Sequence, residues 1–268
     1  MSESKNFENT ISILDSINKE NTVSIYVPSL KRVVAFKGIT TGQQKSLLKA
    51  AVDNPVFRTR FIMASHNIIF ENCEEKEILA GLTSVDSLAI MIQYRAAIYG
   101  TVYEVEEGDD KYTLDLAESI NRIHGLDLPG PKTIVDGQIS ITVGVPLMTD
   151  QYNVENALRR NDLNKVQNSE NLNETIGEAF IGEVSKFIKS VVVTVDGTVH
   201  DLKYETLSPA QKYIVLEKIP SITVKNLIAY LDDVATKQRH ITRLTGKTSK
   251  GVEKQIDYIV DSALFAIN

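Results

Sequence analysis

The stretch that most constrains how this chain folds is 23–51, VSIYVPSLKRVVAFKGITTGQQKSLLKAA, which reads as strand, tight turn, strand, short loop and helix. Val23, Ile25 and Val27 alternate with Ser24 and Tyr26, the period of two expected of a strand with one buried face. Pro28-Ser29-Leu30-Lys31 supplies a turn, because proline fixes φ and has no N–H to give a ladder. Val33, Val34 and Phe36 mark the return strand, and Thr40 and Thr41 are candidate N-caps for a helix. In that helix Leu47, Leu48 and Ala51 recur at helical spacing, with Lys45 and Lys49 on the outer side. A hairpin feeding an amphipathic helix is a packing unit. It contains no nucleophile, metal-ligand set or phosphate loop, and the first expectation is that the chain is not an enzyme.

The flanking segments extend the same kind of building. In 1–21, Phe7, Ile11, Leu14 and Ile17 fall at helical spacing, predicting an amphipathic helix that docks on a partner or on the body and is too short to stand alone. Pro55 opens a second helix whose Phe57, Phe61, Ile62, Ile68, Ile69 and Phe70 make it apolar on more than one side, the mark of burial. Thr83-Ser84, with Asp86 and Ser87, starts a third helix that runs through Tyr99 and stops at Gly100. The pattern then turns to β, with Val102, Tyr103 and Val105 answered by Tyr112, Leu114 and Leu116, and later with the clean alternation of Ile139, Ile141, Val143 and Val145. Between these, 127–131 reads as a Pro/Gly linker.

Residues 150–174 are rich in Asn, Asp and Gln and read as a polar connector. Beyond it the sequence predicts an apolar helix over 176–192, a hairpin over 193–202 turning at Asp196-Gly197, helices over 208–219 and 221–237, and a last hairpin over 241–259. The expected fold class is therefore α+β: an N-terminal β-hairpin followed by helices, a central β segment, and a helical C-terminal half with a terminal hairpin. The expected organisation is a docking helix (1–21), a hairpin, helix and β region (22–149), the connector (150–174) and a mainly helical domain (175–268).

Charge and side-chain chemistry remove several classes of function. A net charge of −6 without a dense basic cluster opposes a nucleic-acid groove. Cys73 is the only cysteine, which rules out an intramolecular disulfide and a thiolate zinc site and fits synthesis in a reducing cytosol. No positive N-terminal segment precedes an apolar core, and no apolar run approaches the roughly 20 residues of a membrane helix. Leu244-Thr245-Gly246-Lys247-Thr248 resembles the tail of a phosphate-binding loop, but Ile241 stands where that loop needs its first glycine. His66, His124, His200 and His240 have no second histidine or cysteine at ligand spacing. His200 beside Asp201 mimics a base with its orienting carboxylate, yet neighbours on a strand face opposite ways. Asp109-Asp110 and Asp232-Asp233 lack the glycine-containing loop of a calcium site. Cys73 sits in an acidic setting that raises a thiol pKa. No catalytic residue, cofactor or metal is expected.

The order of these segments resembles the T-even-type baseplate proteins of contractile-tailed bacteriophages. Pro28, Ser29, Val34, Phe36, Lys45, Leu47 and Leu48 carry the first block of the resemblance, and Asp86, Gln93, Arg95 and Ala96 the second. Leu207, Ser208 and Pro209, opening a helix that ends before Pro220, come next in family order. Some relatives carry cysteines in the β region, and 101–115 has none. The resemblance implies a non-enzymatic structural or assembly role in the central hub of the baseplate, in the virion or in the host cytoplasm during assembly. Its partners would be other baseplate and tail proteins, with no nucleic acid and no membrane, and the chain would act as an oligomer within the assembly. The expected partner-binding residues are Phe7, Ile11, Leu14, Pro28, Phe36, Lys45 and Arg95. Two alternatives stand beside this: a cytosolic enzyme whose site is assembled from scattered Asp, Glu and His, and a different tail or head assembly factor.

Overall fold

A computed structural model of the chain describes residues 7, 10–14, 16–17, 20–50, 59–154, 156 and 181–266. In chain order the first elements are β1 (Thr22–Val27), β2 (Arg32–Lys37), α1 (Thr41–Lys49), α2 (Thr59–Asn72), α3 (Ser84–Tyr99), β3 (Val102–Glu107), β4 (Asp110–Asp115) and α4 (Leu116–His124). After them come β5 (Lys132–Asp136), β6 (Ile139–Val143), β7 (Ile188–Val195), β8 (Thr198–Leu202), α5 (Pro209–Lys218), α6 (Ser221–Thr242), β9 (Arg243–Lys247) and β10 (Glu253–Asp257). The fold class is α+β. Contacts divide the chain into two compact units, one of residues 1–79, 86–125 and 241–268, the other of 80–85 and 126–240. The sequence places its division in the polar stretch 150–174. Most of that stretch lies outside the described residues; the two units are discontinuous, because the terminal hairpin pairs with a strand from the first half.

In the first unit β1 and β2 pair antiparallel, with Ile25 opposite Val34 and Val23 opposite Phe36. Ile25, Val27, Val34 and Phe36 are buried, as their period of two requires. A two-stranded hairpin is marginal alone, and here each of its edges is engaged at a point along its length. On the β1 side, the Tyr26 N–H donates to Gln93 Oε1 at 2.9 Å and Gln93 Nε2 donates back to the Tyr26 carbonyl at 2.8 Å. The side-chain amide thus replaces the peptide of a neighbouring strand. Two turns earlier on α3, buried Asp86 accepts the Ser29 N–H at 2.9 Å. On the β2 side, the Glu74 N–H donates to the Ala35 carbonyl at 3.2 Å, and Phe36 bridges to Cys73.

Helix α1 starts in a capping box in which Thr40 Oγ1 accepts from the Gln43 N–H at 3.2 Å and Gln43 Oε1 from the Thr40 N–H at 3.0 Å. Gln43 Nε2 reaches on to Glu71 Oε2 and Asn72 Oδ1 at the end of α2, at 2.8 and 2.9 Å. The buried Tyr94 ring meets Phe36 edge-on with centroids 6.0 Å apart, and its hydroxyl donates to the Lys37 carbonyl at 2.9 Å.

The unit's second sheet has the order β10-β9-β4-β3. Its two hairpins meet at Thr113 opposite Lys247. Beside that junction a Cβ on Gly246 would lie 2.9 Å from Ile256 Cγ1 and 3.0 Å from Tyr112 Cβ. The glycine of the Gly-Lys-Thr sequence is therefore a packing requirement inside a strand, with no loop around it. Ser119 on α4 donates to the Ile241 carbonyl at 2.6 Å and lies 2.9 Å from the Tyr258 hydroxyl, tying α4 to the terminal segment.

The second unit is built on an antiparallel sheet of order β5-β6-β7-β8. Ile134, Ile141 and Val191 align across three strands and are buried. The helix expected over 176–192 is corrected: 181–185 are helical, but Ile188–Val195 is strand β7. Its β-branched run Val191-Val192-Val193 suits a pleated surface with neighbours on both sides. Asp196 (φ 50°) and Gly197 (φ 76°) form the β7–β8 turn, the paired positive φ values of a type I′ hairpin. Strand β5 begins directly after the Pro/Gly linker 127–131 and is held at both ends. The Tyr230 hydroxyl lies 3.1 Å from the Pro129 and Gly130 carbonyls, and buried Thr223 donates its hydroxyl to Asp136.

Candidate docking surfaces

The seven residues expected to meet partners divide into two groups. Phe7, Ile11 and Leu14 are 68%, 41% and 50% exposed, and Ile13 and Ile17 are 52% and 56% exposed. Residues 7, 10–14, 16–17 and 20 are helical. At 100° per residue these five apolar side chains fall within an arc of about 160° on one face. The Asn21 N–H donates to the Ile17 carbonyl at 3.1 Å, and the Gly38 N–H to the Asn21 carbonyl at 2.7 Å, so this helix ends where the hairpin begins. Lys45 is exposed on the outer side of α1, as its spacing predicts.

Pro28, Phe36 and Arg95 are buried in the first unit and present no docking surface. Pro28 opens the tight turn between β1 and β2, and Phe36 packs on Tyr94. Arg95, on the last turn of α3, donates from Nη1 to the Gly100 carbonyl at 3.0 Å and from Nη2 to the Val102 carbonyl at 3.3 Å. Its guanidinium carbon lies 4.9 Å from the Tyr99 ring centroid and 5.8 Å from that of Tyr103. Burial lowers its pKa, and the two tyrosines oppose that shift. Among the described residues its partners are two carbonyls and two rings, with no carboxylate. The negative end of the α3 dipole supplies the compensating field. Arg95 is thus a clamp from the end of α3 to the start of β3, not an interface ion-pair member.

The titratable groups singled out from sequence fall at separate places in the fold. His66 is buried in α2, and His124 ends α4, exposed and stacked on Tyr26 with centroids 4.5 Å apart. His200 and Asp201 are adjacent and exposed on β8. Cys73 is buried, and burial first, then its acidic neighbours Glu75 and Glu77, pushes the thiol above its usual pKa. The acidic setting legible in the sequence is thus the smaller cause, and burial the larger. Among the described residues no group of three or more His, Cys, Asp or Glu is placed to hold a metal ion, and no helix is long and apolar enough to cross a membrane.

Sequence reasoning missed the sheet edges. Val135 on β5 is 70% exposed and Val199 on β8 is 64% exposed, each on a strand with one neighbour among the described residues. The signal for β5 was its isoleucine–valine pair shortly after Pro131. No family model matches the chain, and no curated protein or solved structure is significantly similar to it.

Proposed function

We propose that the chain is a non-enzymatic structural or assembly protein of a contractile phage tail baseplate, working in the central hub region by docking onto other baseplate and tail proteins. The observation that carries this reading is the N-terminal helix, whose Phe7, Ile11, Ile13, Leu14 and Ile17 are all exposed. Five such side chains, each roughly half open, present on the order of 500 Å2 of apolar surface, the scale at which a surface patch marks an interaction site. A helix face of this kind takes an apolar groove, with its anchors at i, i+4 and i+7. The occupant is a groove on another tail protein.

The residues of the resemblance support the reading from a second side. Asp86 holds Ser29, Gln93 holds Tyr26, and Arg95 joins α3 to β3. The motif describes a folding unit whose parts fit one another.

The test is co-expression with the proteins of a contractile phage tail baseplate. Deleting residues 1–20 is expected to leave circular dichroism of the body unchanged and to abolish co-purification with one of those proteins. Unchanged co-purification of the deleted form would overturn the docking assignment, and small-molecule turnover by the isolated chain, lost on changing one polar side chain, would overturn the non-enzymatic reading. Mass spectrometry of mature particles then separates a resident subunit from an assembly factor that leaves.

A further inference from the structure

The second unit's sheet ends in two edge strands, β5 and β8, and the larger sheet of the first unit ends in β3 and β10. An edge strand offers a row of backbone donors and acceptors to any strand that matches it. The four edges differ in how well each matches itself. Antiparallel self-pairing of β10 about Gln255 sets Glu253 opposite Asp257, and β3 carries Glu104, Glu106 and Glu107 along its length. Self-pairing of β8 about His200 sets Val199 opposite Asp201 and one histidine against the other.

Strand β5, Lys132-Thr133-Ile134-Val135-Asp136, is the exception. Pairing about Ile134 places Lys132 opposite Asp136 of a second copy, and the two-fold axis repeats that contact. Thr133 falls opposite Val135 on the other face. Paired residues in an antiparallel ladder share a face, so the apolar row Val191–Ile141–Ile134 continues across the seam into the same row of the second copy. Lys132 and Thr133 are exposed and Val135 is 70% exposed, so among the described residues nothing covers this edge. Thr223 engages Asp136 through Oδ2 alone, so the carboxylate's second oxygen is not used by that bond.

We infer that β5 is the seam of a homodimer, in which two copies join their four-stranded sheets into one of eight strands by antiparallel pairing about Ile134, with reciprocal Lys132–Asp136 ion pairs. The interface is isologous, as a two-fold dimer requires. It stands independently of the baseplate reading, because it rests on the sheet edge alone.

Five-residue strands bury less than a standard interface, so association belongs in roughly the micromolar-to-millimolar range. Sedimentation velocity of the full chain across that range is expected to show the mass rising from 29.8 kDa toward twice that value. Lys132→Glu sets like charges opposite at two places and is expected to weaken the dimer at least about tenfold. Asp136→Asn keeps an acceptor for Thr223 while removing the charge, and is expected to weaken it as well. Thr133→Cys with Val135→Cys is expected to give a reducible covalent dimer, since this register sets those positions opposite. A wild-type chain that stays monomeric throughout, or a dimer whose affinity neither charge substitution moves, would overturn the inference. Circular dichroism of each variant confirms that the sheet is intact.

Discussion

Gln93 is buried at 8% exposure and satisfies both backbone groups of Tyr26, at 2.9 and 2.8 Å. Gln93→Met keeps length and volume while removing the amide, so it leaves one N–H and one carbonyl without partners on a partly buried strand edge. Each stranded group costs about 1–3 kcal/mol, and the partial exposure of Tyr26 favours the lower half of that range. The expected loss is about 2–4 kcal/mol, roughly 30- to 1,000-fold in local opening. Hydrogen exchange at the Tyr26 amide reads it directly, and urea unfolding followed by circular dichroism gives the global value. Gln93→Glu sharpens the test. At neutral pH a carboxylate accepts from the Tyr26 N–H but turns a lone pair toward the Tyr26 carbonyl. Protonation restores a donor, so this variant should regain stability as pH falls through its raised carboxyl pKa. An unchanged Tyr26 exchange rate in Gln93→Met, with stability within about 0.5 kcal/mol of wild type, would refute the view that this amide stands in for a strand.

Gly246→Ala should cost about 1–3 kcal/mol through overpacking against Ile256 and Tyr112, measured by urea unfolding, whereas a phosphate-loop glycine would show its effect on nucleotide binding instead. Arg95→Lys keeps the charge but cannot span the Gly100 and Val102 carbonyls together, and should lose about 1–2 kcal/mol and accelerate exchange at the start of β3. Tyr94, Tyr204 and Tyr258 are buried, and burial pushes each phenol above its ordinary pKa. Their contribution is complete below the unfolded value of about 10 and is lost as pH rises from there, at about 1.4 kcal/mol per pH unit for each tyrosine. Tyrosinate absorbance should therefore show at least three of the 10 tyrosines titrating only together with loss of structure, and smooth titration of all of them in the folded chain would contradict this.

What sequence makes legible is local. The alternation of Ile25, Val27, Val34 and Phe36 marks the hairpin, the cap at Thr40 marks α1, and Asp196-Gly197 marks the β7–β8 turn, because each is decided by a few adjacent residues. Strand β7 reads as helix because the continuous apolar run Val191-Val192-Val193 carries no alternation to separate strand from helix. Pro28, Phe36 and Arg95 read as docking residues for a related reason. An apolar or cationic side chain on one face of an element shows that the face is covered, and tertiary structure decides whether the cover is the chain itself or a partner. For Phe36 and Arg95 it is Tyr94 and the end of α3, both within the same unit. Phe7, Ile11 and Leu14 have no such cover among the described residues, and their exposure is what distinguishes them.

The pairing of β9 with β4 bears on how the chain is made. Strand β4 emerges from the ribosome roughly 130 residues before β9, and at ~5–20 residues per second that interval is ~6–25 s. Throughout it the β3–β4 hairpin has an open flank and α4 lacks the carbonyl of Ile241. A nascent chain in that interval is a natural client for a holding chaperone, and a premature stop anywhere before residue 243 would release a polypeptide whose first unit cannot close.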